Sequence, residues 1–216
     1  MDNPNGKKPR QLLRNPDYAG AMLYAYDRLR DLPPNLTYHN LWHTEQVVVP
    51  AVQRFASSLK IDPDQIRLVE VAAAFHDIGF VETYQGHELA GISIASAVLP
   101  RFGLSPDEIE QIQGMILATR LPQNPQCLTE EILADADLDV LGRNDFFEQN
   151  DALYREVVSY GYPVNHLQWL EGQVKFLSGH EYFTSAARSF RGFGKQTNMS
   201  GLEDKLSQVL STGGIQ

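Results

Sequence analysis

The stretch of residues 66–79 restricts the fold of this chain more than any other segment. Its first seven residues, IRLVEVA, are apolar on nearly every side of a helix, which predicts a helix in the middle of a core. The stretch then reaches His76 and Asp77, followed by Gly79. Burial of an imidazole and a carboxylate costs free energy unless a partner compensates them. A bound cation would compensate both groups, because each is a metal ligand. A His–Asp hydrogen bond that only closes the helix is the alternative.

Length and composition predict a single globular domain with a substantial core. The chain has 216 residues, of which 43% are hydrophobic and 21% are charged. No apolar run approaches the roughly 18 residues that a membrane helix requires. The formal net charge of −9 argues against broad binding to nucleic acid or to anionic lipid surfaces. We therefore expect neither nucleic acid nor a membrane among the partners.

The N-terminus and the cysteine content favour a cytoplasmic location. The first eight residues are polar and lack the apolar segment of a signal peptide. Cys127 is the single cysteine, so an intrachain disulfide cannot form, which is typical of a reducing compartment. Residues 1–14 contain Pro4, Gly6, Pro9 and four Lys or Arg, a composition that predicts a flexible N-terminal arm.

Helix start and stop signals divide residues 15–211 into roughly nine or ten helices, with no convincing strand pattern. The sequence therefore predicts an all-α domain over this range. The expected helices cover residues 15–32, 39–60, 62–79, 87–98, 105–120, 129–142, 144–160, 164–178, 182–195 and 199–211.

Four metal-competent side chains recur at helix ends or on inward faces of three predicted helices. They are His43, His76, Asp77 and Asp135. Two imidazoles with two carboxylates form a mixed nitrogen and oxygen ligand set, which suits Mn, Fe, Co, Ni or Zn better than Ca. Such a set leaves coordination positions open for water and for a phosphoryl oxygen.

The sequence around these residues resembles the HD-domain superfamily of metal-dependent phosphohydrolases. The resemblance is strongest over residues 36–160 and rests on the segments YHNLWHT (38–44), AFHDIG (74–79), HELAGIS (87–93) and ADADLDVLG (134–142). It implies an HD-domain-like helical bundle and one divalent metal ion, for which Mn, Fe, Co, Ni, Zn and Mg all stay open. The implied ligands are His43, His76, Asp77 and Asp135.

The same resemblance implies a function. We expect a phosphohydrolase that cleaves a phosphomonoester or a nucleotide phosphoester with metal-activated water, acting on a small, nucleotide-like phosphorylated molecule. A regulatory module that binds nucleotides with little turnover is the alternative. A di-iron oxygenase on the same scaffold is a third hypothesis, which the lack of histidine between Ala90 and Asn165 disfavours. The sequence does not decide whether the chain forms a homo-oligomer.

Two carboxylates that follow the His–Asp pair, Glu82 and Glu88, are candidates for the catalytic group that activates water, beside Asp77 as a metal-bound catalytic residue. Glu88 stands at a helix start, where the helix dipole also favours a carboxylate. The sequence does not separate the two roles.

Four basic residues are candidates for binding the substrate phosphate. Arg188, Arg191 and Lys195 have the spacing of one helix face, and Arg120 ends a helix near the expected site. Arg can grip two phosphate oxygens at once. A charged face that contacts only solvent is the alternative.

Two further acids lie close to Asp135 in the sequence. Asp137 is turned roughly 200° from Asp135 around a helix, so the two cannot face one ion without distortion. Asp139 is expected on a solvated acidic face. His39 is expected to be structural or to orient a metal ligand.

Overall fold

The structure, a computed structural model, describes residues 15–211, so the predicted N-terminal arm of residues 1–14 lies outside the described part. Within residues 15–211 the chain forms nine α-helices and no strand, which confirms the predicted all-α fold. None of these helices is long and apolar enough to cross a membrane. The helices are α1 (Tyr18–Arg30), α2 (Val49–Leu59), α3 (Pro63–Phe75), α4 (His87–Val98), α5 (Pro106–Ala118), α6 (Leu128–Asp137), α7 (Phe146–Ser159), α8 (His166–Gly179) and α9 (Ser185–Ser211).

Four shorter helical segments join or extend these helices. A π-helical turn, His43–Val48, leads directly into α2. The segments Ile78–Val81, Leu99–Phe102 and Asp139–Gly142 are 3₁₀ turns. Because such turns are tighter or wider than an α-helix, they change the direction in which the following side chains point.

The helix starts follow the capping rules that the sequence indicates. The side chain of Asp62 accepts a hydrogen bond from the backbone N–H of Asp64, with Pro63 in the first turn of α3. Ser105 and Glu108 form a reciprocal capping box at the start of α5. These caps satisfy backbone donors that would otherwise lack partners.

Helix α3 lies at the centre of the core, as its apolar sequence predicts. Helices α1, α2, α5 and α6 pack around it. The last α-helical residue is Phe75, and His76 follows directly as the C-terminal cap. The His–Asp pair therefore emerges inside the protein and not at its surface. The buried residues of α3 are Leu68, Val69, Val71, Ala72, Ala73, Ala74 and Phe75.

The turn after the His–Asp pair lies directly against the start of α4. A Cβ atom on Gly79 would lie 1.9 Å from the backbone oxygen of His87, so only glycine allows this approach. The contact brings His87 and Glu88 beside Asp77, which explains why a glycine ends this segment.

The two helices predicted at 182–195 and 199–211 form one helix, α9, so this boundary was wrong. The residues between them are held in helical conformation by tertiary contacts. The side-chain amide of Asn198 donates to the backbone oxygens of Leu141 and Arg143, at 2.9 Å each. Helix α9 also crosses the Asp139–Gly142 turn closely, because a Cβ atom on Gly194 would lie 2.1 Å from the oxygen of Gly142.

Candidate metal centre

Four buried or half-buried side chains converge where α3 ends, α6 ends and the π-helical turn begins. Nε2 of His43 lies 3.2 Å from Oδ1 of Asp137 and 3.8 Å from Oδ2 of Asp77. Nε2 of His76 lies 3.1 Å from Oδ2 of Asp77 and 3.4 Å from Oδ1 of Asp137. We call these four residues the HHDD cluster.

The ligand atoms of His43, His76 and Asp137 lie close enough together to hold one divalent cation, and Asp77 lies beside them. Two ligand atoms bound to one ion at roughly 2.1 Å lie about 3.0–3.5 Å apart in octahedral or tetrahedral geometry, close to the separations given above. Nε2 of His76 and Oδ2 of Asp77 are buried and make no hydrogen bond of acceptable geometry within the described residues. A shared cation would satisfy both atoms.

A hydrogen bond fixes the tautomer of His76 for this role. Nδ1 of His76 lies 2.7 Å from the backbone oxygen of Ala73. A carbonyl oxygen can only accept, so Nδ1 carries a proton and Nε2 is the ring nitrogen that faces the cluster; a bound cation would replace a proton at Nε2.

The charges of the cluster are strongly coupled. Burial opposes the charged form of His76, but the neighbouring Asp77 and Asp137 outweigh burial and raise the pKa of His76 well above its usual value. Burial likewise opposes ionisation of the two carboxylates, yet the neighbouring histidines lower the pKa of Asp77 and of Asp137. Both carboxylates are therefore ionised at neutral pH, and the cluster attracts a cation.

The π-helical turn sets the direction of His43. His43 is the first residue of the turn, and its backbone N–H donates to the side-chain oxygen of Asn40 at 3.2 Å. The imidazole is buried. The HNLWH segment is thus a helix start whose last histidine points inward.

The structure corrects the expected role of Asp135. Its Oδ1 accepts a hydrogen bond from the backbone N–H of Phe183 at 2.9 Å. Its Oδ2 accepts from the backbone N–H and the hydroxyl of Thr184, at 2.8 and 2.7 Å. Asp135 therefore fixes the chain that enters α9, and Asp137, on the other side of α6, lies with the two histidines.

Of the two candidate carboxylates for water activation, the structure places one beside the cluster. Glu88 is buried, with a relative exposure of 8%. Its Oε1 lies 3.7 Å from Nε2 of His87. That same nitrogen lies 3.6 Å from Oδ1 of Asp77. Glu82 is exposed and does not line the cavity that opens beside the cluster, between α7 and α8.

The four basic residues proposed for phosphate binding do not line this cavity, so the structure does not support that assignment. Arg188 donates to the backbone oxygens of Tyr182 and Phe183, and Lys195 donates to that of His180. Arg120 is exposed. The backbone oxygens that Arg188 and Lys195 bind belong to residues 180–183, which precede α9, so spacing along the helix could not reveal them.

Arg191, the remaining member of that set, serves the fold. It binds the carboxylate of Asp139 through two hydrogen bonds, at 2.7 and 2.9 Å, and Arg54 donates to the same carboxylate at 2.9 Å. Asp139 is fully buried, so its expected place on a solvated face was wrong.

Glu156, which is not among the residues expected from the sequence, holds a further histidine beside the cluster. Glu156 is fully buried and accepts from Nδ1 of His39 at 2.5 Å and from the backbone N–H groups of Tyr38 and His39. Burial opposes the charged form of His39, but the hydrogen bond to Glu156 outweighs it and raises the pKa of His39. The available signal was the position of Glu156 one helical turn after the apolar residue Ala152.

A cavity of about 590 Å³ opens from the HHDD cluster between α7 and α8. His39, Asp77, His87, Glu88 and Asp137 form one end of it. The opposite walls are largely apolar and include Leu138, Val140, Phe146, Leu153, Val157 and Phe176. This volume lies in the range of small-molecule sites.

Two comparisons with known proteins find similarity to the HD domain. The family model of the HD domain matches residues 49–139. A similar solved structure is the crystal structure of a predicted HD superfamily hydrolase from an uncultured Thermotogales bacterium, with 24% sequence identity and a TM-score of 0.55. The alignment covers 93% of this chain and 95% of that chain. A search of curated proteins finds no match.

These findings confirm the resemblance to the HD-domain superfamily and the HD-type all-helical fold. The matched range contains His76, Asp77 and Asp137 and begins after His43. The spatial convergence of the side chains is what joins His43 to the other three.

Proposed function

We propose that this protein is a metal-dependent phosphohydrolase that cleaves a phosphomonoester or a nucleotide phosphoester with metal-activated water. The observation that carries the proposal is the convergence of two imidazoles and two carboxylates, of which Asp77 and Asp137 line one end of the cavity. The HD-domain match supports the hydrolase class.

His43, His76, Asp77 and Asp137 would hold one divalent ion, and their mixed donor set suits Mn, Fe, Co, Ni, Zn or Mg. When bound, such an ion polarises a phosphoryl oxygen and lowers the pKa of a coordinated water. Glu88 lies at the same end of the cavity and is positioned to take the proton of the attacking water. The hydrogen bond to Glu156 fixes the ring of His39, whose other nitrogen, Nε2, can exchange a proton with a group in the cavity.

The test is phosphate release from a panel of phosphate esters, with protein that was first treated with chelator. We expect release after addition of Mn²⁺, Co²⁺ or Ni²⁺ and its loss with EDTA. Asp77→Ala should remove activity, and its fold in excess chelator should match that of the wild-type protein by circular dichroism. Binding of metal and nucleotide without phosphate release from any ester would favour a regulatory module and refute the enzyme proposal.

A further inference from the structure

The cavity beside the HHDD cluster has no cationic wall. Within the described residues 15–211, none of its lining side chains is Lys or Arg. At the end beside the cluster, Asp77, Glu88 and Asp137 are acidic, and the imidazole of His39 is already paired with Glu156. One phosphoryl group can be neutralised by a cation held at the cluster, but a second phosphate would meet only apolar or neutral polar side chains along the rest of the lining. Burial of an unpaired charge of this kind is strongly unfavourable.

The walls contributed by α7 and α8 offer mainly apolar contact. Phe146, Leu153 and Val157 come from α7, and the ring of Trp169 and Phe176 come from α8. The polar members of these walls are neutral amides, namely Gln149, Asn150, Gln168 and Gln173. A ligand that fits these walls would therefore have an uncharged and largely apolar body.

The size of the cavity agrees with such a ligand. A volume of about 590 Å³ is far larger than one phosphoryl group needs and falls within the range of sites for drug-sized molecules. Most of the space therefore serves the organic part of the substrate, between apolar walls.

We infer that the substrate is the monophosphate ester of an uncharged, largely apolar alcohol whose organic part lies between the apolar walls of α7 and α8. This inference rests on the proposed phosphohydrolase function and narrows its substrate class. In the reaction, water oxygen bonds to phosphorus and the phosphorus–oxygen bond to the organic group breaks. The alcohol oxygen leaves with a proton that balances the proton lost by water. Polyphosphates and polyhydroxylated sugar phosphates are poor substrates.

The first test is a matched series of esters assayed with one metal. It compares 2-phenylethyl and 2-naphthylethyl phosphate with glycerol phosphate and glucose 6-phosphate, all of them esters of primary or secondary alcohols, and a nucleoside monophosphate with its triphosphate. We expect kcat/KM to rise about 10–100-fold from glycerol phosphate to naphthylethyl phosphate, because more apolar surface is buried. The value of kcat/KM for the nucleoside monophosphate should exceed that for the triphosphate. Equal rates across the series, or a preference for the triphosphate or the sugar phosphate, would overturn the inference. Absence of turnover on every ester would instead refute the phosphohydrolase proposal.

The second test measures binding without turnover. The chain has two tryptophans, so Trp42→Phe leaves Trp169 as the single fluorescent reporter in the cavity wall. With Zn²⁺ present, 4-phenylbutylphosphonate should change its fluorescence at a concentration at least about tenfold lower than methylphosphonate does. If both phosphonates changed the fluorescence at the same concentration, the result would contradict an apolar site.

Two neighbouring valines supply matched variants. Val157 lines the cavity, whereas Val158 is 44% exposed and does not. Val157→Lys should weaken phenylbutylphosphonate binding about tenfold or more, and Val158→Lys should bind as the parent does. Equal effects of both variants would refute the assigned wall. Val157→Ser removes part of the apolar wall without adding a charge, so it provides a milder variant if Val157→Lys does not fold. It should weaken phenylbutylphosphonate binding more than methylphosphonate binding.

Discussion

Oδ1 of Asp137 lies 3.2 Å from Nε2 of His43, although 94 positions separate the two residues in the sequence. Two residues earlier, Asp135 uses both carboxylate oxygens to hold the backbone of Phe183 and Thr184. The last turn of α6 thus has two functions on opposite sides. One side contributes to the candidate metal site, and the other fixes the entry of the chain into α9.

The two aspartates of α6 should respond differently to substitution. Asp137→Asn should abolish the rise in melting temperature that Mn²⁺ or Co²⁺ produces in the wild-type protein. That rise corresponds to about 2.7 kcal/mol at a metal concentration 100 times the dissociation constant. Asp135→Asn should lower the free energy of unfolding by about 1.5–3 kcal/mol, because an amide N–H₂ would replace an acceptor of buried donors. It should keep the metal response. Thermal denaturation of both variants with and without metal checks this, and the opposite pattern would restore Asp135 as the ligand.

Glu88 and Glu82 offer a matched test of water activation. Glu88→Gln should lower kcat by about 10²–10⁴-fold, because a general base is lost while the metal stays bound. Glu82→Gln should leave kcat unchanged, because Glu82 is exposed and outside the cavity. Steady-state kinetics gives kcat for each variant, and metal analysis checks that the metal stays bound. An active Glu88→Gln variant would rule out Glu88 as the base.

His180 should make the protein less stable in acid. Burial, together with the nearby Lys195, lowers the pKa of His180 to about 4, whereas the unfolded chain has a pKa near 6.5. Between these values the unfolded state binds the proton and the folded state does not, so stability is complete above about pH 6.5 and falls toward pH 4. The effect should be about 1–2 kcal/mol, because solvent still reaches part of the ring. His180→Phe should lack this part of the pH dependence in urea denaturation at pH 7 and pH 5. An unchanged difference between the two pH values would assign it to other groups.

Two glycines of α9 should differ in their tolerance of alanine. A methyl group at Gly194 would collide with the backbone of Gly142, so Gly194→Ala should cost about 1–3 kcal/mol of folding free energy. Nothing lies within 4 Å of a Cβ atom built on Gly192. Gly192→Ala should therefore be neutral or stabilising by up to about 1 kcal/mol through helix propensity. Denaturant titrations measure both values, and equal stability of the two variants would contradict the close crossing.

The parts of this structure that were predictable are those set by local sequence. The apolar run 66–72 specifies a central helix, and Pro63 and Ser105 mark helix starts, whatever the rest of the chain does. The local sequence could not show which of Asp135 and Asp137 belongs to the metal site. Which of the two faces the histidines depends on the rotation of α6 about its axis, and tertiary packing sets that rotation.

Long-range ion pairs were likewise beyond local reasoning. Arg191 was a candidate phosphate ligand because of its spacing in the helix. Its actual partner, Asp139, could not be predicted because it lies 52 positions away in the sequence. The role of Glu156 could not be inferred from its own helix either, because the histidine that it holds belongs to a loop 117 positions earlier. Spacing within one helix shows which residues share a face, but it does not show what that face meets.

The orientation of His43 depends on the number of residues in the π-helical turn. Each residue advances an α-helix by about 100°, and a π turn accommodates one residue more than an α turn does. Removal of one residue between Thr44 and Val48 would restore a regular helix and swing His43 by about 100° relative to α2. The gain in helical regularity would come with the loss of one imidazole from the cluster. A single-residue deletion in this short segment is therefore more damaging to the site than most substitutions in the same segment.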